Sequence, residues 1–353
     1  MPIVFVTNYL TPNQAALFSR NVDMIITYSQ LDASRQWAPL KAEAQVKDVS
    51  RLSLRKRLHE ISCQLNNSYD GTLIGGSNRS PEFWFSVVLC RLHRAPFAIW
   101  MERPRAPVSR LRRNALRLAL GKTGVILAAG TIATIFYRQL FRGVKIRNFP
   151  YSYGRNVPND TGLSVRNNSV TPRGVTALFI GTEWERKGLD ILLTAAATMP
   201  RRLQSRLALR VAGLKAPPPK LEAVVGMALP EDVTYLGYLE PHEVRKELIS
   251  ADVLVVASRY DGWAVVIEEA MAEGTPVIAS DEVGAAVDLV VDGYSGFTFP
   301  SEDSGALAGA LTAVMCHDVS DRPLSVGAMA MVAQHRDKYN IESLERTICG
   351  DQA

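Results

Sequence analysis

Residues 252–281 read DVLVVASRYDGWAVVIEEAMAEGTPVIASD, and this stretch decides the fold. The Val-rich run DVLVVAS suits a parallel strand buried on both faces. Tyr260-Asp261-Gly262 is a turn signal. Ala264 to Glu273 is helix-compatible, and Gly274-Thr275-Pro276 ends that helix before a second apolar run, Val277 to Ala279. The order strand, turn, helix, strand places Asp261 at the carboxyl end of a strand, where open α/β sheets hold ligands. The amides of Gly262, Trp263, Ala264, Val265 and Val266 are expected to open the helix beside it, a setting suited to phosphate. Glu269 follows Asp261 at a spacing of a little over two helical turns, which predicts both carboxylates along one side of the element. Two acids beside an anion site fit a sugar nucleotide, which offers hydroxyls to bind and a pyrophosphate to hold.

The pattern Asp261-x7-Glu269, continued by Ala270-Met271-Ala272-Glu273-Gly274-Thr275-Pro276-Val277, resembles the E-x7-E signature of retaining glycosyltransferases of the GT-B fold, family 4. The first Glu is replaced by Asp, and the Asp-Gly-Trp form is similar to a subgroup of polysaccharide and lipopolysaccharide transferases. The likeness is close over 177–300 and loose over the first half. It implies that Glu269 binds the donor ribose and that Asp261 contacts the donor sugar near the reacting carbon. Glu268 is expected to point away and to be solvated.

A second stretch, Phe179-Ile180-Gly181-Thr182-Glu183-Trp184-Glu185-Arg186-Lys187-Gly188, ends a strand at Gly181 and sets two cations at the mouth of the next helix. Arg grips phosphate oxygens as a fork and Lys as a point charge. The segment resembles the family's Gly-Arg…Lys-Gly, whose cations contact the donor diphosphate. Lys187 matches the Lys; Thr182 stands where the Arg usually is, and Arg186 is available to supply that charge. Tyr235 to Leu239 is similar to the family's base-binding loop, with Tyr238 either at the base or simply packed.

In the first half, Trp100-Met101-Glu102-Arg103-Pro104 puts a carboxylate at the end of an apolar strand. Glu102 could orient an acceptor hydroxyl or support the departing charge; an ion pair with Arg103 or Arg105 explains it equally well. His93 reads as structural. Asn8 heads the loop where the family carries Gly-Gly, so that phosphate contact is not carried over, and Asn8 is kept as an acceptor-side candidate. Gly75-Gly76-Ser77-Asn78 is a second loop on the acceptor side.

Length and charge frame these motifs. A chain of 353 residues with 47% hydrophobic content holds two ordinary domains. Four scattered cysteines and five histidines show neither a disulfide framework nor metal-ligand spacing, and there is no D-x-D, so no metal and no cofactor is expected. Through Val170 there are 24 Lys plus Arg against 9 Asp plus Glu; beyond it, 16 against 26. A basic half joined to an acidic half predicts separate partners. The densest basic run, Arg103 to Lys122, carries Arg110, Arg112 and Arg113 among leucines. It is either an interfacial helix on an anionic membrane or a solvated basic face with its leucines in the core. No nucleic-acid-binding signature is present. The N-terminus reads as a strand rather than a signal peptide, and Thr123 to Tyr137 is too short to span a bilayer, so a cytoplasmic protein, peripheral on the membrane at most, is expected.

The expected architecture is α/β: two Rossmann-like, doubly wound domains facing across a cleft, 1–165 for acceptor and 166–330 for nucleotide sugar, with 331–353 crossing back as a helix. Predicted elements include a helix from Thr11 or Asn13 to Arg20, an ambiguous stretch from Leu40 to Leu54, a linker from Tyr153 to Arg173, a helix from Pro219 to Met227 and one continuous helix from Leu324 to Arg346. The function this implies is a retaining transfer of a hexose from a nucleoside diphosphate sugar to a saccharide or lipid-linked acceptor. A sugar-nucleotide epimerase and a non-catalytic binding partner are the rival readings.

Overall fold

The structure is a computed structural model and describes residues 3–7, 23–28, 45–66, 70–75, 80–121, 124–152, 174–218, 220–221, 232–316 and 323–349. The chain divides into two compact units, Met1–Val157 with Arg336–Ala353, and Pro158–His335. The predicted helix ending at Arg20, the linker 153–173, nearly all of the predicted helix 219–227, and Asn8 and residues 76–78 lie outside the described residues.

The first unit carries β1 (Ile3–Thr7), β2 (Met24–Thr27), β3 (Gln45–Asp48), α1 (Leu54–Leu65), β4 (Gly71–Ile74), α2 (Pro81–Leu92), β5 (Phe97–Met101), α3 (Arg110–Leu120), β6 (Gly124–Ala128), α4 (Thr131–Leu140) and β7 (Lys145–Asn148). Its seven strands are all parallel, in the order β3-β2-β1-β4-β5-β6-β7. Side chains alternate across a strand, and here both faces are covered. Ile3 and Phe5 enter one core cluster while Val4 and Val6 enter another. The helices start where caps allow. Ser80 Oγ accepts from Phe83 N at 3.2 Å, and Ser109 Oγ from Arg112 N at 3.3 Å. The ambiguous stretch 40–54 resolves, where described, into edge strand β3.

The second unit carries β8 (Val175–Ile180), α5 (Trp184–Lys187), α6 (Leu189–Thr198), α7 (Arg201–Gln204), β9 (Leu207–Ala212), β10 (Val233–Gly237), α8 (Pro241–Ser250), β11 (Val253–Val256), α9 (Val266–Ala272), β12 (Val277–Ser280), α10 (Gly284–Leu289), β13 (Gly296–Phe299), α11 (Ser304–Cys316) and α12 (Pro323–Lys338). Its strands are parallel in the order β10-β9-β8-β11-β12-β13. From β8 the chain winds one way to β9 and β10, then returns to place β11 on the other side of β8. The β8/β11 boundary is therefore the switch point, the position at which loops diverge and leave room for a ligand.

The tail departs from the single helix expected over Leu324 to Arg346. It breaks after α12, and α13 (Ile341–Cys349) restarts at Asn340, whose Oδ1 accepts from Ser343 N at 3.0 Å. Asn is a strong N-cap, and its carboxamide satisfies a donor that a continuous helix would pair internally. Tyr339, Leu344 and Ile348 join Phe5, Trp100 and Phe149 in a core cluster of the first unit.

Candidate functional site

The candidate site lies at the switch point of the second sheet. β8 ends at Ile180, and Gly181 leads into the turn that carries Arg186 and Lys187. Lys187 lies across Gly181 so closely that a Cβ there would stand 2.8 Å from Lys187 Cγ. Gly188 follows with φ +74°, and a Cβ on it would stand 1.9 Å from the carbonyl oxygen of Ala257, at the end of β11. Only glycine permits both that backbone angle and that approach. The two loops are thus pressed together, and Lys187 Nζ donates to Asp261 Oδ2 at 2.6 Å. Both side chains are largely screened from solvent, 20% and 14% exposed, so their attraction is weakened less by water than that of a surface pair.

Arg186 is committed differently. Its Nε and Nη2 donate to the Glu183 carboxylate at 3.0 and 2.9 Å, and Nη1 donates to the Tyr260 carbonyl at 3.2 Å. The hydrogen-bonded Glu183 holds the Arg186 guanidinium proton more tightly than usual. Three of its five donors are engaged, whereas Lys187 keeps two of its three. Thr182 is exposed beside them.

Asp261 stands apart from the helix that follows. It forms an isolated parallel bridge with Val283, and its carbonyl accepts from Gly284 N at 3.1 Å. The chain then turns through Ala264, at φ +67°, before α9 begins at Val266. This corrects the expectation that Asp261 and Glu269 share one helical side: Asp261 belongs to the strand end, Glu269 to the first turn of α9. Among the described residues no backbone carbonyl pairs with the amides of Gly262, Trp263, Ala264, Val265 and Val266, and Val265 caps α9 without a side-chain hydrogen bond. α9 is only seven residues long, so its macrodipole is small and the N–H groups themselves are the main source of positive potential at its start. Glu269 is half-buried. The expectation that Glu268 is solvated is wrong. It is fully buried, because the short helix packs against α8 and α10 and leaves no solvent side at that position.

Trp263 is 1% exposed, its ring stacked on His335 of α12 at 5.7 Å between centroids and 23° between planes. Its indole faces the interior of the unit, so only its backbone is available to a ligand. Sequence alone does not point to His335, since a lone histidine in a long helix carries no local signal. Tyr238, just past β10, is 49% exposed, in keeping with a loop position rather than core packing.

In the first unit, Glu102 follows β5 and is exposed; its carbonyl accepts from Tyr137 Oη at 2.8 Å. His93 is exposed at the end of α2. Arg110 is exposed at the start of α3, with Arg112 and Arg113 half-buried behind it. A groove of about 650 Å³ is lined by Pro104, Arg105, Ala106, Pro107 and Arg112. The leucines of α3 divide: Leu116 and Leu120 are core, while Leu111 and Leu118 are 82% and 73% exposed. Among the described residues no helix is long and apolar enough to cross a membrane, and no cluster of three or more potential metal ligands occurs.

Residues 174–317 match the family model of glycosyl transferases group 1. The phosphatidyl-myo-inositol mannosyltransferase of Mycobacterium leprae is 33% identical over 185 residues, 50% of this chain and 48% of the relative. The D-inositol 3-phosphate glycosyltransferase of Geodermatophilus obscurus is 32% identical over 199 residues, 54% of this chain and 43% of the relative. The chain thus spans about half the length of the curated relatives it matches. Among solved structures, Anabaena HepE in complex with UDP superposes with a TM-score of 0.72 at 17% identity, covering 99% of this chain and 98% of that one. The chain has the GT-B fold, two Rossmann-like units in one polypeptide, and its second unit carries the match to glycosyl transferases group 1.

Proposed function

We propose that the protein is a retaining glycosyltransferase that moves a hexose from a nucleoside diphosphate sugar to a saccharide or lipid-linked acceptor, in cell-envelope or other glycan synthesis. The observation that carries this reading is the Lys187–Asp261 pair at the switch point of the second sheet, inside the segment that matches the group 1 family. The donor diphosphate sits against Lys187 and the amides of Gly262 to Val266, with Arg186 beside them. Glu269 accepts hydrogen bonds from the ribose hydroxyls, and Tyr238 lies near the base. Gly181 and Thr182 line the turn through their backbones.

As the glycosidic bond to the diphosphate breaks, negative charge grows on the leaving oxygens. Preorganised donors there lower the barrier because they need not reorient as charge develops. Lys187 and the amides of Gly262 to Val266 supply that charge stabilisation, so the reaction needs no resident metal and no cofactor. Asp261, already paired with Lys187, is placed to contact the sugar. On the acceptor side Glu102 orients the incoming hydroxyl, and Arg110, Arg112 and Arg113 hold the protein to an anionic membrane from its cytoplasmic face.

Calorimetric titration with UDP and GDP tests the donor half. Wild-type protein binds one of them, Glu269→Ala binds it about tenfold more weakly, and Asp261→Ala binds it nearly as well while transferring sugar slowly. Equal nucleotide affinity in wild type and Glu269→Ala removes the ribose role. Failure of wild type to bind either nucleotide overturns the reading.

A further inference from the structure

Arg259, two residues before Asp261, is engaged more densely than any cation in the proposed donor site, yet no role in that site follows from its motif position. Its Nη1 and Nη2 donate to both oxygens of Asp190, at 2.9 and 2.7 Å, in a bidentate fork. Its Nε donates to Glu302 Oε1 at 2.6 Å, and Nη1 also reaches the carbonyl of Glu185. Its backbone N–H donates to the carbonyl of Arg186 at 2.9 Å.

These partners have one thing in common. Glu185 and Arg186 belong to the turn that ends in Lys187, Asp190 opens α6 immediately after it, and Glu302 sits on the loop after β13. One guanidinium therefore ties together the loops at the carboxyl ends of β8, β11 and β13. Four of its five donors are taken, so it has little capacity left for a phosphate. Asp190 is 8% exposed on its side chain, which makes the fork the most sheltered part of the network. The same partners hold the Arg259 proton well above the ordinary guanidinium range, Asp190 foremost.

We propose that Arg259 is a positioning residue: by clamping the Glu185–Asp190 turn to the end of β11, it holds Lys187 in register with Asp261 and so presents the ammonium to the donor diphosphate. The inference rests on the donor-site reading above for its final clause only. The clamp itself is a statement about Lys187 and Asp261. A planar fork is required, because a lysine at 259 could satisfy one carboxylate oxygen but not the carbonyl, both Asp190 oxygens and Glu302 together.

Two measurements separate the parts. With the lysines carbon-13 dimethylated, the Lys187 resonance, assigned with Lys187→Arg, reports its pairing without nucleotide. Asp261→Asn gives the unpaired reference. Arg259→Gln is expected to move the resonance most of the way to that reference. Glu302→Gln, at a largely exposed carboxylate with little risk to the fold, is expected to move it the same way by less. A resonance left in its wild-type position by both variants overturns the clamp, whatever the protein does with nucleotide. Titration with UDP then reads the consequence. Arg259→Gln should weaken UDP binding about tenfold in the wild-type background and less than about twofold in Lys187→Ala, because the effect passes through Lys187. A loss of full size in the Lys187→Ala background shows Arg259 acting on the nucleotide directly and also overturns the proposal. If wild type fails to bind UDP while the resonance shifts as expected, the clamp stands and the donor reading does not.

Discussion

Ala264 shows what one side chain costs at the site. It sits at φ +67°, in the left-handed region, where an L-residue with a Cβ pays about 1–2 kcal/mol. Glycine would adopt the angle freely but lose about 0.5–1 kcal/mol more chain entropy on folding. Ala264→Gly is therefore expected to raise stability by a few tenths to about 1 kcal/mol, read as a shift of the urea midpoint at constant slope. Ala264 is only 8% exposed, so losing its buried methyl offsets part of that gain and holds the rise to the lower end of the range. A midpoint that falls instead would mean that the Ala264 methyl packs more tightly than its burial suggests. The same loop shows what the sequence could and could not reveal. The acid at 261, the cations at 186 and 187 and the glycine at 188 are local signals, and each lies at the switch point. Arg259 and His335 carry no local signal because their partners are distant in sequence: Arg259 reaches 69 positions back to Asp190, and His335 of α12 stacks on Trp263 in the turn before α9. No window of sequence contains such pairs.

At the scale of elements, most of the sheet was readable because parallel strands buried on both faces are short apolar runs with turn signals at either end. What failed was polar, short or capped. β3 has exposed or half-buried side chains along QVKD and no apolar run to reveal it. β7, KIRN, buries one residue. The sequence predicts one helix for the tail because its helix-forming composition continues past Asn340, which in that pattern counts as an interior residue rather than a cap. The α2–sheet contact supplies a further test. Cys90, buried in the core cluster of α2, β5 and β6, has its thiol pushed from the usual 9.0 up to about 11, chiefly by burial. A neutral buried thiol resists ionisation, whereas the unfolded chain ionises near the ordinary value. Its contribution is therefore whole below pH 9 and is lost as pH rises through 11, a total of about 2–3 kcal/mol. Tyr28, pushed to about 12 by the same cause, adds a second window above pH 10. Urea titrations between about pH 8 and pH 11 should show stability falling in wild type and a shallower fall in Cys90→Ala, whose neutral-pH stability is lower for lack of the side chain. Identical slopes would show that the thiol ionises outside the core.

At the scale of the molecule, charge divides as the polypeptide does: the basic excess lies almost wholly in the first unit and the acidic excess in the second. Fold stability does not ask for this asymmetry, which instead bears on partners. The first unit concentrates it on neighbouring helices. Arg91 of α2 donates to the Ala119 carbonyl of α3 at 3.3 Å, and on these two helices Leu92, Leu111 and Leu118 are 74%, 82% and 73% exposed. Large aliphatic side chains held in water beside arginines have the composition of a surface that settles into a headgroup layer, where the apolar groups leave water while the cations stay among phosphates. Each arginine near an anionic leaflet contributes about 1 kcal/mol, so removing Arg110, Arg112 and Arg113 should cost on the order of a hundredfold in partitioning onto vesicles of phosphatidylglycerol and phosphatidylcholine. The loss should shrink as salt is raised, because screening already weakens the wild-type protein. A Leu111→Ser, Leu118→Ser double substitution should also weaken binding, with an effect that salt leaves nearly unchanged, since apolar transfer carries no charge. Sedimentation with vesicles across a salt series reads both. Binding by the triple arginine variant equal to wild type at low salt would leave α3 as a solvated basic face.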